Sequence, residues 1–482
     1  MSSVSGTGTV SSAGVGSGLD VESIVTKLVA IESQPITTLK TAESKLQTQL
    51  SEWGKVKSAL SDLNDAAQSL TLPTTWSATT ATSSDTSAVN VSTDSKAVAG
   101  SYSISVTALA AAQTLASAPQ TAATNTLGAG TLHIQVGAWN SDQSAFTAKS
   151  GSATVDVTIS ATDTLNDIRD KINAASPNVK ASVVTDTSGS RLVLRGTTGV
   201  DNGFRVSVDD GDGNNTDAAG LSALAYDPAS SVASMTQTQA AANSAATING
   251  LPVSGTTNTL TAIDGLTIQL SKLTSAVDVN VKQDTDAISK SINTFVTAYN
   301  ALQGLLATDT KYDAGSKTAG PLQGDNTAVS LQNQIRALMG GTSSASSVYS
   351  RLSDIGLAIQ SDGTVKVDST KLNSALGSNP AEVKKMFMSY GGSGASTSDG
   401  FAQRFRVYSD NLLGVDGAVT TRTGGIQKSI DNNDKRQQQL QDQVDAYEKR
   451  IRAQYTALDA AMAQLNTQSS YVSQMITAWN KG

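Results

Sequence analysis

An acidic stretch, DDGDGNNTD, is the strongest candidate for a metal-binding motif in this sequence. Asp210, Asp212 and Asn214 occupy the first, third and fifth positions of an EF-hand loop. Such a loop needs glycine at its sixth position and a bidentate glutamate at its twelfth. Asn215 and Leu221 stand at those two positions instead. We therefore expect a solvated turn here and not a calcium site.

Other nucleophiles and metal ligands are scarce. The chain has no cysteine and one histidine, His133, which excludes thiol catalysis, disulfides, Cys-ligated zinc and every site that needs two histidines. His133 lies between Leu132 and Ile134 in a strand-like alternation, so we expect it to be an exposed strand residue. No carboxylate pair stands out for acid–base chemistry. We predict no catalytic, cofactor or metal site, and no enzyme.

The composition narrows the function classes further. The 482 residues carry a net charge of −7 and include 16% charged residues. This acidic balance disfavours nucleic acid as a partner, because neutralising phosphates requires clustered Lys and Arg. No apolar run approaches the ~18 residues of a membrane span. The first eighteen residues lack the regions of a cleaved signal peptide and the spacing of a phosphate loop, and we expect a disordered leader.

The N-terminal region predicts two successive helices. Asp20 can cap the first, and Pro35 indicates a break or a new helix start. From residue 38 to residue 70, apolar residues recur at spacings of three and four, as a helical seam requires. That series is Leu39, Leu46, Leu50, Trp53, Val56, Leu60, Leu63, Ala67 and Leu70.

The C-terminal region predicts another long helix from about residue 426. Its apolar series is Ile430, Leu440, Val444, Tyr447, Ile451, Tyr455, Leu458, Met462, Leu465, Val472, Ile476 and Trp479. The face is polar between 427 and 443, and we predict a hinge there. Long amphipathic helices at both ends of one chain favour a terminal coiled coil or bundle.

The region between these ends alternates apolar and polar residues, which predicts strands. The alternation runs through 102–106, 132–136, 155–159, 179–183, 192–194, 204–208 and 277–281. Helices are predicted at 165–175 and 288–306. Asp362-Gly363 favours a hairpin between 357–359 and 365–367. The predicted class is an α+β multidomain protein in which terminal helices form a coiled coil or bundle around inserted β-rich domains.

Three stretches resemble the flagellar filament cap family, also called hook-associated protein 2 or FliD. Residues 17–70 resemble its N-terminal region, 245–272 are similar to its central flagellin hook motif, and 351–387 resemble its C-terminal region. The resemblance follows the order of the family and spans nearly the whole chain. It implies that the terminal helices form a leg and that the β-rich domains form a head.

The resemblance also implies a function. Members form a ring-shaped homo-oligomer of about four to six subunits at the distal end of the bacterial flagellum, where they promote flagellin folding and insertion. The implied partners are further copies of the chain, flagellin, the hook–filament junction proteins, and the flagellar type III export apparatus with its chaperone. The implied location is extracellular, after export without a cleaved signal peptide.

The same resemblance implies a domain division and a set of assembly residues. The division is a disordered leader and first leg helix in 1–38, a leg globule in 39–77 and 282–425, head domain 2 in 78–110 and 235–281, head domain 3 in 111–234, and a coiled-coil leg in 426–482. The assembly residues are Leu19, Ile24, Leu28, Ile31, Leu46, Trp53, Leu60, Leu63, Ile451, Tyr455, Leu458, Met462, Leu465, Val472, Ile476 and Trp479.

Two further interpretations stay open. One is a surface adhesin with a β-rich head that binds glycan or mucin, and the other is a hook–filament junction protein. An adhesin needs no paired terminal helices, so deleting 440–482 should abolish capping and spare binding by the head.

Overall fold

The computed structural model describes residues 20–392 and 396–480. Within them the chain divides into two compact units. The terminal unit joins the described residues up to Trp76 with those from Asp286 onward, and the inserted unit is the stretch from Ser77 to Thr285. The predicted α+β multidomain class, with helical termini and a β-rich insertion, is confirmed. The predicted leader and Leu19 lie outside the described residues.

Helices dominate the terminal unit, and only α4 among the described α-helices lies wholly within the inserted unit. The helices are α1 (Val21–Glu32), α2 (Gln34–Thr71), α3 (Pro73–Trp76), α4 (Leu165–Ala175), α5 (Thr285–Thr310), α6 (Asn326–Gly340), α7 (Ser369–Ser378), α8 (Pro380–Met388), α9 (Phe401–Leu413) and α10 (Ala418–Trp479).

The strands lie mainly in the inserted unit. They are β1 (Thr79–Ser83), β2 (Val89–Thr93), β3 (Gly100–Ala108), β4 (Ala112–Ala116), β5 (Gly130–Trp139), β6 (Phe146–Ala148), β7 (Val155–Ile159), β8 (Lys180–Asp186), β9 (Gly189–Thr198), β10 (Gly203–Asp210), β11 (Tyr226–Asp227), β12 (Val232–Ala233), β13 (Thr236–Gln239), β14 (Ser244–Ile248), β15 (Leu251–Gly255), β16 (Thr259–Ile263), β17 (Leu266–Leu270) and β18 (Thr274–Gln283). The terminal unit adds β19 (Tyr312–Asp313), β20 (Thr318–Ala319), β21 (Leu357–Ile359) and β22 (Val365–Val367).

The start of the terminal unit follows its local sequence. The Asp20 carboxylate accepts the backbone N–H of Ser23 at 3.0 Å, which satisfies one of the free donors at the start of α1. α1 ends at Glu32, and α2 begins at Gln34 with Pro35 in its first turn. Proline is tolerated there because its missing N–H would have no helical partner. The predicted cap and the predicted break are both confirmed.

α10 packs antiparallel to α2. Asn433 donates to the backbone oxygen of Leu39 at 3.1 Å. Arg422, which lies earlier on α10 than Asn433, and Trp53, which lies later on α2 than Leu39, both bind the carboxylate of Asp325. The polar stretch 427–443 is continuous helix within α10.

The core of the terminal unit is built by α2, α5, α6, α7, α8 and α9 together with the start of α10. Its largest fully buried side chains are Trp53, Tyr299, Phe295, Phe387, Phe401, Phe405, Leu60, Leu63 and Leu70. The predicted hairpin is confirmed: Ile359 pairs with Val365 in β21 and β22, and Gly363 takes the left-handed φ of +86° that this turn requires. Tyr299 donates to the Gly363 carbonyl at 2.9 Å and joins the hairpin to α5.

The sheets of the inserted unit are antiparallel. Their strand orders are β1-β18-β3-β14-β15, β16-β17-β2, β13-β4-β9-β8, and β12-β11-β10-β5-β6 with β7 also on β5. Two hydrophobic cores lie between them. One is formed within 88–106 and 246–281, and the other within 115–235. α4 closes the second core with Leu165, Ile168 and Ile172.

Candidate assembly surface

In the acidic turn of the inserted unit, carboxylate oxygens accept hydrogen bonds from backbone N–H groups. Asp210 accepts the N–H of Ser222 at 2.8 Å, and Asp212 accepts the N–H of Asn214 at 2.9 Å. The contact of Asp212 is that of an Asx turn, in which a short acidic side chain hydrogen-bonds to the local backbone, and the contact of Asp210 joins the two ends of the loop. Among the described residues, no group of three or more His, Asp or Glu side chains is placed to hold a metal ion.

His133 lies in β5 between two carboxylates on the neighbouring strands. Its Nδ1 is 2.7 Å from Asp156 in β7, and its Nε2 is 3.1 Å from Asp209 in β10. The hydrogen bond with Asp156 raises the pKa of His133, and the bond with Asp209 adds to this against the opposing effect of burial. We expected His133 to be an exposed strand residue, but it is partly covered, with 27% of its side chain accessible. The cross-strand carboxylates, distant in sequence, explain the difference.

The far end of α10 presents an unpartnered apolar stripe. Beyond Tyr455 the helix continues for about 36 Å. We define the α10 stripe as Ile451, Tyr455, Leu458, Met462, Leu465, Val472, Ile476 and Trp479. Their spacing alternates between four and three residues up to Leu465 and keeps the same seven-residue repeat to Trp479, with Ser469 at the one polar position. This is the pattern of a coiled-coil seam.

The described residues cover the near part of the stripe only in part and leave its far part exposed. Ile451, Tyr455 and Met462 are half-buried. Leu465 and Trp479 are 57% and 87% exposed, and Leu458, Val472 and Ile476 are exposed as well. Tyr471 and Met475, which sequence reasoning missed, add further exposed apolar surface beside it. A row of apolar side chains of this kind marks a surface for binding a protein partner.

The other predicted assembly residues fall into two groups. Ile24, Leu28 and Leu46 are half-buried on α1 and α2, and Ile31 is 61% exposed. Trp53, Leu60 and Leu63 are fully buried in the core of the terminal unit. The second group therefore contacts the helices of its own chain, and its structural role is to hold α2 in place.

An ion pair joins α1 to α10 where the α10 stripe begins. Arg452 donates from both terminal nitrogens to the Glu22 carboxylate, at 2.6 and 2.8 Å. The hydrogen bond with Arg452 lowers the pKa of Glu22. Val21 and Val25 are buried on the same helix. Sequence reasoning missed this pair, because no local pattern connects two residues at opposite ends of a chain.

Asp325 joins three helices of the terminal unit. It begins α6 by accepting the N–H of Thr327 at 3.0 Å. The same carboxylate accepts the indole N–H of Trp53 at 3.0 Å and the guanidinium of Arg422 at 2.8 Å. Burial would raise the pKa of Asp325, but the hydrogen bonds from Arg422 and Trp53 outweigh it and lower the pKa. No periodicity in the sequence marked this residue.

Taken together, these features define a multidomain α+β protein whose paired terminal helices carry an exposed apolar stripe. Family models agree: the flagellar hook-associated protein 2 N-terminus matches residues 17–113, and its C-terminus matches residues 241–467. In the described part of the chain, no helix is long and apolar enough to cross a membrane. The chain belongs to the flagellar hook-associated protein 2 family.

Individual relatives support this membership over the whole length. Flagellar hook-associated protein 2 of Escherichia coli strain K12 is 33% identical over 480 residues, which covers 96% of this chain and 97% of the relative. The B-type protein of Pseudomonas aeruginosa PAO1 is 30% identical over 486 residues, which covers 97% of each. The crystal structure of the D1-D2-D3 domains of the flagellar cap protein FliD from Escherichia coli has a TM-score of 0.59 at 30% identity, and the match covers 78% of this chain and 99% of that one.

One part of the predicted resemblance was wrong. The flagellin hook IN motif matches residues 145–198, whereas we assigned it to 245–272. The matched segment contains β6, β7, α4, β8 and β9. Residues 245–272 fall within the C-terminal match instead. There the Ile-Asn-Gly-Leu sequence forms the tight turn between β14 and β15, with Asn249 and Gly250 both at positive φ. Such a turn signal is common to many hairpins and does not identify this motif.

Proposed function

We propose that this protein caps the bacterial flagellum as a non-enzymatic ring of several copies and promotes the folding and insertion of flagellin. The observation that carries the proposal is the α10 stripe, a coiled-coil seam whose far half, from Leu465 to Trp479, is exposed on the described part of the chain. Membership of the hook-associated protein 2 family supports the filament end as its place of action.

The stripe suits a partner that is bound and released repeatedly. A helix gains most of its stability from packing of its apolar face, so partner contact would stabilise the end of α10. The stripe is interrupted by Ser469, and polar seam positions lower the stability of a coiled coil while specifying its register. Contacts of moderate strength allow one subunit to leave its place while the others hold the ring.

The domain division remains part of the proposal. The core formed within 88–106 and 246–281 supports head domain 2, and the core within 115–235 supports head domain 3. We place the leg globule in 39–77 and 282–425 and the coiled-coil leg in 426–482. We also propose export by the flagellar type III route, with the export chaperone and the hook–filament junction proteins as further partners. No observation favours the adhesin or the junction protein.

Growth of flagellin filaments at capped ends tests the proposal. Purified wild-type protein should bind filament ends and support flagellin addition. The variant Leu465→Asp/Ile476→Asp should lose both effects at least tenfold, because it places charges on the α10 stripe. Val415→Asp is the matched control, since Val415 is 90% exposed and lies off the stripe in the loop before α10. Equal activity of the stripe variant and wild type would contradict the proposal.

A further inference from the structure

The two sheets that pack on the core within 115–235 differ in charge. One consists of β13, β4, β9 and β8, and the other of β12, β11, β10, β5, β6 and β7. The strands of the first contain three Lys or Arg residues and one carboxylate, whereas the strands of the second contain one Arg and four carboxylates. We call them the basic sheet and the acidic sheet. Because both turn alternate residues toward the shared core, their outer faces point to different sides of this part of the molecule.

The outer face of the basic sheet holds two cations directly opposite each other. Lys180 of β8 and Arg195 of β9 are cross-strand partners, and both are exposed. Lys180 donates to two carbonyl oxygens at the end of α4, those of Ser176 at 3.1 Å and Asn173 at 3.4 Å. Among the described residues, no carboxylate forms an ion pair with either cation. We call Lys180 and Arg195 the cation pair. Like charges in this position destabilise a sheet, so carboxylates from a partner would relieve their repulsion.

The same face also offers an apolar contact. Val184 of β8 is 47% exposed and lies opposite Arg191 of β9. The third cation of the sheet, Arg191, is balanced by the one carboxylate, Asp186, at 3.1 Å. The positive charge that remains is therefore that of the cation pair.

The outer face of the acidic sheet holds two carboxylates in one cross-strand row. Asp156 of β7 and Asp209 of β10 lie on either side of His133 of β5. Their side chains are 63% and 73% exposed. The one arginine of this sheet, Arg205, lies four residues before Asp209 and is 3.5 Å from Asp227. We call Asp156 and Asp209 the carboxylate row, which carries two negative charges beside a neutral His133.

We propose that the basic sheet of one copy binds the acidic sheet of a second copy, so that the cation pair faces the carboxylate row. Complementary charges of this kind determine which surfaces of two molecules meet. Two different surfaces of one chain give a head-to-tail contact, which either closes into a ring or continues as a fibre. The contact rests on the proposed function for its place in a capping ring, but the attraction itself needs neither a filament nor flagellin.

Sedimentation of the full-length chain tests the contact. Every protein in this test carries Leu465→Asp/Ile476→Asp, so that the α10 stripe does not contribute to association, and we call this chain the parent. The parent should self-associate. At an ionic strength of about 1 M, where the screening length is about 3 Å, its dissociation constant should rise about tenfold.

Reversing either charged surface should break the contact. Lys180→Glu/Arg195→Glu places carboxylates opposite carboxylates, and Asp156→Lys/Asp209→Lys places cations opposite cations. Each variant alone should raise the dissociation constant of the parent by about tenfold or more. An equal mixture of the two should associate within about threefold of the parent, because each reversed surface then meets one of opposite charge. Such recovery would also show that both variants are folded.

Lys96→Glu/Lys282→Glu is the matched control. It changes the net charge as much as the reversal of the cation pair does, and both lysines are exposed in the inserted unit outside the two sheets. It should leave the dissociation constant of the parent within about twofold.

Cross-linking identifies the surfaces that meet. The native chain has no cysteine, so Ser182→Cys on β8 and Ser207→Cys on β10 place one thiol on each outer face, at exposed serines. A mixture of the two single variants of the parent should form a dimer with a short bifunctional thiol reagent. Either variant alone should not, because the contact joins unlike surfaces.

Three results would overturn the contact. They are no self-association of the parent up to about 1 mM, an equal effect of the control and the reversed variants, and cross-linking of one cysteine variant with itself but not with the other. Loss of capping by otherwise wild-type protein, with the recovery in the mixture intact, would contradict the proposed function alone.

Discussion

At the scale of residues, a single carboxylate determines how three helices meet. Asp325 is 6% exposed, and its hydrogen bonds reach the start of α6, the indole of Trp53 and the guanidinium of Arg422. A buried charge is tolerated only where such bonds replace the water it loses. If the carboxylate is removed, a buried indole N–H and a half-buried cation lose their partner. The free energy of unfolding therefore falls by more than one ordinary hydrogen bond contributes.

We expect Asp325→Ala to lower the free energy of unfolding of the terminal unit by about 3 kcal/mol at pH 7. The stabilisation by the Asp325 carboxylate should be present above the unfolded Asp pKa of about 3.9 and lost as the pH falls through the lower folded pKa. Amide exchange of α6 in increasing urea measures this free energy of unfolding. Asp62→Ala, on the exposed face of α2, should change stability by less than about 0.5 kcal/mol. Equal effects of the two variants would refute this role.

His133 provides a second residue-scale prediction, with the opposite dependence on pH. Its folded pKa is raised above the ordinary histidine value of about 6.5. Its two carboxylate partners therefore stabilise the inserted unit below about pH 6.5, and this contribution is lost as the pH rises through the folded pKa. His133→Gln should speed amide exchange of β7 at pH 5.5 and leave it unchanged at pH 9. Since the chain has one histidine, its ring protons titrate as one assigned signal. A midpoint at or below 6.5 would contradict the prediction.

At the scale of elements, local patterns predicted the helices and strands well. Asp20 and Pro35 marked the starts of α1 and α2, because caps and proline act within one turn. Asp362-Gly363 marked its hairpin for the same reason. Long-range contacts left no such signal. Nothing near Glu22 in the sequence indicates that it pairs with Arg452, and misplacing the flagellin hook motif shows that a turn sequence alone does not identify a segment.

The pair of Glu22 and Arg452 gives an element-scale prediction. α1 has 12 residues, too few for a stable isolated helix, so it depends on contact with α10. Arg452→Glu should speed amide exchange across α1 about two- to fivefold, because it replaces an exposed ion pair with two like charges. The double variant Glu22→Arg/Arg452→Glu should restore slow exchange. Lys449→Glu controls for the change in net charge, and an equal effect of that variant would rule out a specific pair.

At the scale of the whole molecule, the composition fits the proposed export and assembly. The chain has no cysteine and eight prolines. A protein that crosses a narrow channel unfolded gains from lacking thiols that cross-link, and from having few prolines whose isomerisation takes tens of seconds. In the proposed export, the paired ends of the chain fold as one unit outside the cell. In the proposed assembly, the α10 stripe is the part of the molecule that becomes covered only when a partner binds.

Electron microscopy of filament ends incubated with the protein tests this central claim most directly. We predict a ring of several copies at the distal end, with the α10 stripe of each copy, from Ile451 to Trp479, buried against a neighbouring copy or against flagellin. A map in which the protein binds the filament end through the inserted unit, with the far ends of α10 free in solution, would contradict the account.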